Sequence, residues 1–121
     1  MNEANSNEPI NINIEEVSQS LRIRPEVYTR IVSSFAKTLQ ERLQGLNDAL
    51  AAKDSTRMRR ILHEIKGTSG NLRLENIVKA NAVFHEAVKA EQEPHEKLVE
   101  YYEVLKIESD KLFDYTKQFT E

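Results

Sequence analysis

Cysteine is absent from the 121-residue chain, so disulfides and thiolate metal sites are excluded and a reducing, cytoplasmic setting is expected. Long apolar runs are missing as well. Nothing approaches the ~18 consecutive apolar residues of a membrane span, and residues 1–9 lack the basic and hydrophobic regions of a signal peptide. A soluble protein with no membrane partner is expected. The chain carries no Walker loop, no kinase-type glycine loop and no dinucleotide fingerprint, which argues against ATP-dependent catalysis. His85 and His95 have too few acidic or histidine neighbours at ligand spacing to complete a metal set. No metal or cofactor site is expected, and both read as ordinary surface or boundary residues.

Proline and glycine are scarce, at three each, while 39% of the residues are hydrophobic and 31% charged. That mixture suits one soluble, mostly helical domain, and the length allows one core but not two. The formal charge of −3 is unevenly spread: residues 1–16 hold four Glu and no Lys or Arg, whereas residues 55–67 hold four basic residues and one acid. A locally basic helix face on a nearly neutral body follows.

Hydrophobic spacing sets out the elements. Residues 1–13 form an acidic tail rich in Asn and Glu, expected to be flexible. Ile14, Val17 and Leu21 predict a short helix over 14–20. Tyr28, Ile31, Val32, Phe35, Leu39, Leu43, Leu46 and Leu50 predict a long helix over 25–52 that opens on Pro25, with Gly45 as a close helix contact or slight bend. Asp54 or Ser55 can cap a third helix running to about Leu72. Leu74, Ile77, Asn81, Phe84 and Val88 mark a fourth to about Ala90. After Pro94, Leu98, Tyr102, Leu105, Ser109, Leu112, Thr116 and Phe119 mark a fifth. The predicted fold is all-α: an antiparallel up-down four-helix bundle with a short N-terminal capping helix, spanning residues 14–120.

Two of the three glycines, Gly67 and Gly70, fall within the third helical segment. Each interior helical Gly costs about 0.8–1 kcal/mol relative to Ala. Wound at about 100° per residue with His63 at zero, the segment places Gly70 at about −20°, Gly67 at about +40°, Lys66 at about −60° and Arg59 at about −40°. Met58, Ile61, Leu62 and Ile65 spread about the opposite side, so His63 should point into water. An exposed imidazole with a cation one turn on and bare backbone beside it suits a nucleophile that carries a phosphoryl group. Imidazole can be neutral near pH 7, Lys66 can offset the acquired charge, and the glycines leave room for a second protein to approach. The bland alternative is an inert surface histidine, which leaves the two glycines unexplained. Arg57, Arg59 and Arg60 could meet nucleic acid phosphates. The net negative charge and the lack of interleaved aromatics favour instead a docking role for Arg59 and Arg60 toward an acidic partner, with no nucleic acid. Tyr101, Tyr102 and Tyr115 read as core and boundary packing.

The run His-Glu-Ile-Lys-Gly-Thr-Ser-Gly-Asn-Leu over residues 63–72 resembles the signature of the histidine phosphotransfer (HPt) domains of phosphorelays, roughly H-x-[LI]-K-G-[ST]-[AS]-x-x-[LI]-G. His63, Ile65, Lys66, Gly67, Thr68, Ser69 and Leu72 fit it, and Arg73 stands where the family usually has Gly. The resemblance covers residues 14–120 in outline. It implies a helical-bundle phosphocarrier without a kinase active site, and so not an enzyme in that sense. His63 would accept a phosphoryl group from a receiver-domain aspartyl phosphate and pass it to an aspartate of another receiver or response regulator. Lys66 would be its electrostatic partner, Gly67 and Gly70 the clearance, and Arg59 with Arg60 the docking surface. Mg²⁺ is expected only on the partner receiver, and the chain itself is expected to be a monomer. Two other readings stay open: a helical adaptor that binds a partner through the same face without phosphorylation, and a small enzyme, disfavoured because no second catalytic group lies near His63 in sequence.

Overall fold

The computed structural model describes residues 9–120, which form five helices and, among these residues, no strand. They are α1 (Ile14–Ser20), α2 (Pro25–Ala51), α3 (Ser55–Asn71), α4 (Glu75–Ala90) and α5 (His95–Thr120). Residues 1–8 of the expected tail lie outside the described part. Residues 9–13 run up to α1 without helical structure, and Ile12 packs on the core.

The elements start and stop where local chemistry dictates. Asn13 caps α1 by accepting from the Glu16 amide at 3.1 Å, and Asp54 caps α3 by accepting from the Arg57 amide at 3.1 Å. Pro25 occupies the first turn of α2, where its missing N–H leaves nothing unsatisfied. At the ends of α1, α2 and α3 the chain turns left-handed at Arg22 (φ 60), Lys53 (φ 55) and Arg73 (φ 61). Each of these turns closes with the paired 6→1 and 5→2 amide–carbonyl bonds of a Schellman motif: Leu74 to Ser69 at 3.0 Å and Arg73 to Gly70 at 3.1 Å in α3. The departure from the HPt pattern at Arg73 therefore falls on a position whose backbone conformation favours glycine.

Helix α3 packs on α2 and α4, α4 on α5, and α5 back on α2, which closes the up-down four-helix bundle; α1 lies on α2. The predicted stripes supply the core: Val32, Leu39 and Leu46 from α2, Leu62 and Ile65 from α3, Ile77 and Phe84 from α4, Leu105 and Leu112 from α5. Each side chain of this size contributes about 1.5–3 kcal/mol on burial. Tyr28 ties α2 to the end of α3 by donating its hydroxyl to the Leu72 carbonyl at 2.7 Å. Burial pushes that phenol up to about 12, so it stays a donor throughout the neutral range. Gly45 sits in uninterrupted helix, and a Cβ there would meet Ile61 at 3.6 Å and Arg57 at 3.7 Å, ordinary contacts. It faces α3 without forcing a close approach.

Candidate functional site

Helix α3 presents two opposite faces. Met58, Leu62 and Ile65 point into the core, and Ser69, fully buried, returns its hydroxyl to the Ile65 carbonyl at 2.6 Å. His63, Lys66, Gly67 and Gly70 lie on the exposed side. A Cβ built on Gly67 or Gly70 would meet nothing within 4 Å, and neither residue has a positive φ. The helix would accept alanine at both positions. What the glycines provide is open space beside His63.

Charge around His63 is set by cations. Lys66 stands one turn on, and among the described residues neither it nor Arg60 makes an ion pair. The acid next in sequence, Glu64, pairs with Arg42 of α2 and is thereby neutralised locally. Arg59 is half-buried; its guanidinium lies 3.4 Å from the Glu91 carboxylate at the end of α4 and 3.4 Å from the Thr56 hydroxyl. Of the two expected docking arginines, Arg60 stands in solvent, whereas Arg59 is engaged with α4.

Helix α4 supplies two residues that sequence reading undervalued. Asn81, with no exposed surface, donates from Nδ2 to the Leu62 carbonyl at 2.9 Å, which fastens α4 to the backbone immediately before His63. One turn further, His85 is only 9% exposed, and its ring stands edge-on to His63 with centroids 6.5 Å apart at 66°. His85 is therefore not the ordinary surface or boundary residue expected. Burial holds its pKa below the usual 6.5, Lys89, His63 and Lys66 push the same way, and Glu86 opposes them. The signal available in the sequence was spacing: His85 follows Asn81, a member of the inner stripe, by one helical turn. His95 half-buries at the start of α5, in a small cavity with Met58 and Leu98.

Among the described residues no group of three His, Asp or Glu could hold a metal ion, and no helix is long and apolar enough to cross a membrane. The exposed face of α3 offers an imidazole, a nearby cation and a cleared approach.

Comparison with known proteins agrees with this geometry. The model of the Hpt domain matches residues 30–114, the stretch that runs from the first turns of α2 through most of α5 and includes the whole of α3. No significant match was found among curated proteins or among solved structures. A match over most of the bundle, including the helix that exposes His63, shows that this chain belongs to the Hpt domain family of phosphorelay signalling.

Proposed function

We propose that this protein is a phosphorelay intermediate in which His63 accepts a phosphoryl group from the aspartyl phosphate of one receiver domain and delivers it to the aspartate of another. The observation that carries the reading is the exposed His63 flanked by Lys66 and by two helical glycines with open space above them. An unprotonated imidazole nitrogen attacks phosphorus in line with the carboxylate leaving group. The N–P bond forms as the O–P bond breaks, the aspartate departs as a carboxylate, and the other ring nitrogen keeps its proton. Delivery to the second receiver is the same exchange in reverse.

The chain's own part is positioning and charge. Helix α3 is held from both flanks, by Asn81 on the Leu62 carbonyl and by Tyr28 on the Leu72 carbonyl, so the nucleophile is displayed from rigid backbone. Lys66 and Arg60 favour an anionic phosphoryl group and an acidic partner face. The receiver supplies the acidic pocket and its Mg²⁺. Incubation of the native protein and of His63→Gln with a phosphorylated receiver domain tests the reading. Acid-labile, alkali-stable phosphate on the native chain and none on the variant is expected; labelling that persists in His63→Gln refutes it.

A further inference from the structure

Outside the exposed face of α3, one titratable group touches the proposed phosphoryl acceptor and has no role in the exchange just described. We propose that His85 is a proton-sensitive counter-group to His63: neutral while His63 is empty, it takes up a proton when His63 carries phosphate, so the transfer equilibrium is linked to pH. The inference rests on the carrier reading of His63 and extends it from transfer to regulation.

The geometry supplies the link. The two rings meet edge-on with centroids 6.5 Å apart, and His85 is 9% exposed, so its ring is largely withdrawn from bulk solvent. Two α3 groups face the ring, His63 and Lys66; on α4 the flanking charges are Lys89 and Glu86. From α5, packed on the adjacent Phe84, stands the phenol of Tyr101. With His63 uncharged, Lys66 and Lys89 outnumber Glu86 and the ring is buried, so the neutral imidazole is favoured. A phosphoryl group accepted by neutral His63, whose other ring nitrogen keeps its proton, brings about one net negative charge to this spot and offsets that positive excess.

Even with the screening of bulk water, a unit charge at that separation changes the proton affinity of His85 about threefold, and partial burial increases the effect. Linkage is reciprocal. Whatever phosphorylation does to the proton affinity of His85, protonation of His85 does to the affinity of His63 for phosphate. Falling pH then retains phosphate on this chain at the expense of the receiver, and rising pH releases it. No covalent step is involved: one proton moves between solvent and His85.

The test has two arms. In the first, ring resonances of His85 are followed by NMR against pH in full-length His63→Glu and His63→Gln, which place an anion or a neutral group beside it without any phosphorylation. An upward shift of the His85 midpoint equivalent to about threefold in the Glu variant supports the coupling; identical midpoints overturn it. In the second, the division of phosphate between the native chain and a receiver domain is measured from pH 7.5 to 5.5 and repeated with His85→Gln, whose amide cannot titrate. A shift toward phosphorylated His63 that is about threefold larger in the native chain supports the proposal. Equal shifts overturn it. If no variant takes up phosphate while the first arm shows the upward shift, the carrier reading fails and the electrostatic coupling of the two sites stands.

Discussion

Replacing Gly67 and Gly70 by alanine should make the protein more stable, and replacing Gly67 by a longer side chain should make it a poorer carrier without loosening its fold. Both residues have helical backbone, Gly67 one turn before the end of α3 and Gly70 in its last turn, and neither methyl would meet a neighbour within 4 Å. No packing cost opposes the intrinsic preference, so each substitution should recover up to about 1 kcal/mol, or up to about 2 kcal/mol for the pair. For a domain of this length the unfolding entropy converts 2 kcal/mol into a rise in Tm of about 8 °C. Urea denaturation of Gly67→Ala, Gly70→Ala and the double variant measures the first effect, with the midpoint rising and the m-value unchanged. Phosphotransfer from a receiver domain to Gly67→Gln measures the second. If the alanine variants unfold at lower urea, the glycines serve the backbone and not the approach of a partner. If Gly67→Gln transfers phosphate at the native rate, clearance beside His63 is irrelevant. The reasoning stands only if stability and activity move in opposite directions.

Three further outcomes follow from particular residues. Arg73→Gly should raise stability by about 0.5–1 kcal/mol in urea titrations, because it relieves a left-handed residue at the end of α3, and no change would mean that the Arg73 side chain offsets its backbone. Lys66→Ala should slow phosphoryl acceptance about threefold or more, and 1 M salt, which shortens the Debye length to about 3 Å, should weaken receiver binding; rates indifferent to both remove charge from the mechanism. His85 has a folded-state pKa below its ordinary 6.5, so the unfolded chain binds the proton more readily. Stability should therefore be fullest above pH 6.5, decline as pH falls through 6.5 toward the folded value, and level off once the buried ring itself protonates. His85→Gln should lack that step in denaturation midpoints recorded between pH 7.5 and 5.

Periodicity made the fold legible because each helix buries a single stripe, and a stripe can be read from one chain segment alone. Val32, Leu39 and Leu46, or Leu105, Ser109 and Leu112, announce their face without reference to any other helix. The same logic located the exposed side of α3, where His63, Lys66, Gly67 and Gly70 share a wheel sector. His85 escaped because its importance is tertiary. It and His63 lie at roughly equal chain distances either side of the 72–74 connection, and only the antiparallel hairpin of α3 and α4 brings the two rings together. Arg59 escaped for a similar reason, since its partner Glu91 comes from the far end of α4. Helix wheels report which way a side chain points. What it points at depends on the register of the neighbouring helix.

The left-handed turns at Arg22, Lys53, Arg73 and Glu91 give glycine usage a different meaning in this molecule. Among the described residues, all four places where the backbone adopts a conformation suited to glycine are filled by charged side chains, while all three glycines stand in regular helix. Glycine count alone would suggest supple joints, whereas here the joints are made by residues that resist the conformation and are held by their amide–carbonyl bonds. A chain of identical length and glycine content, with Gly67 and Gly70 exchanged against Lys53 and Arg73, would be more stable by roughly 2 to 4 kcal/mol on backbone grounds alone. The distribution of glycine therefore marks what an approaching surface requires, and mutational scans that treat glycine as a hinge would look for motion in the wrong segments.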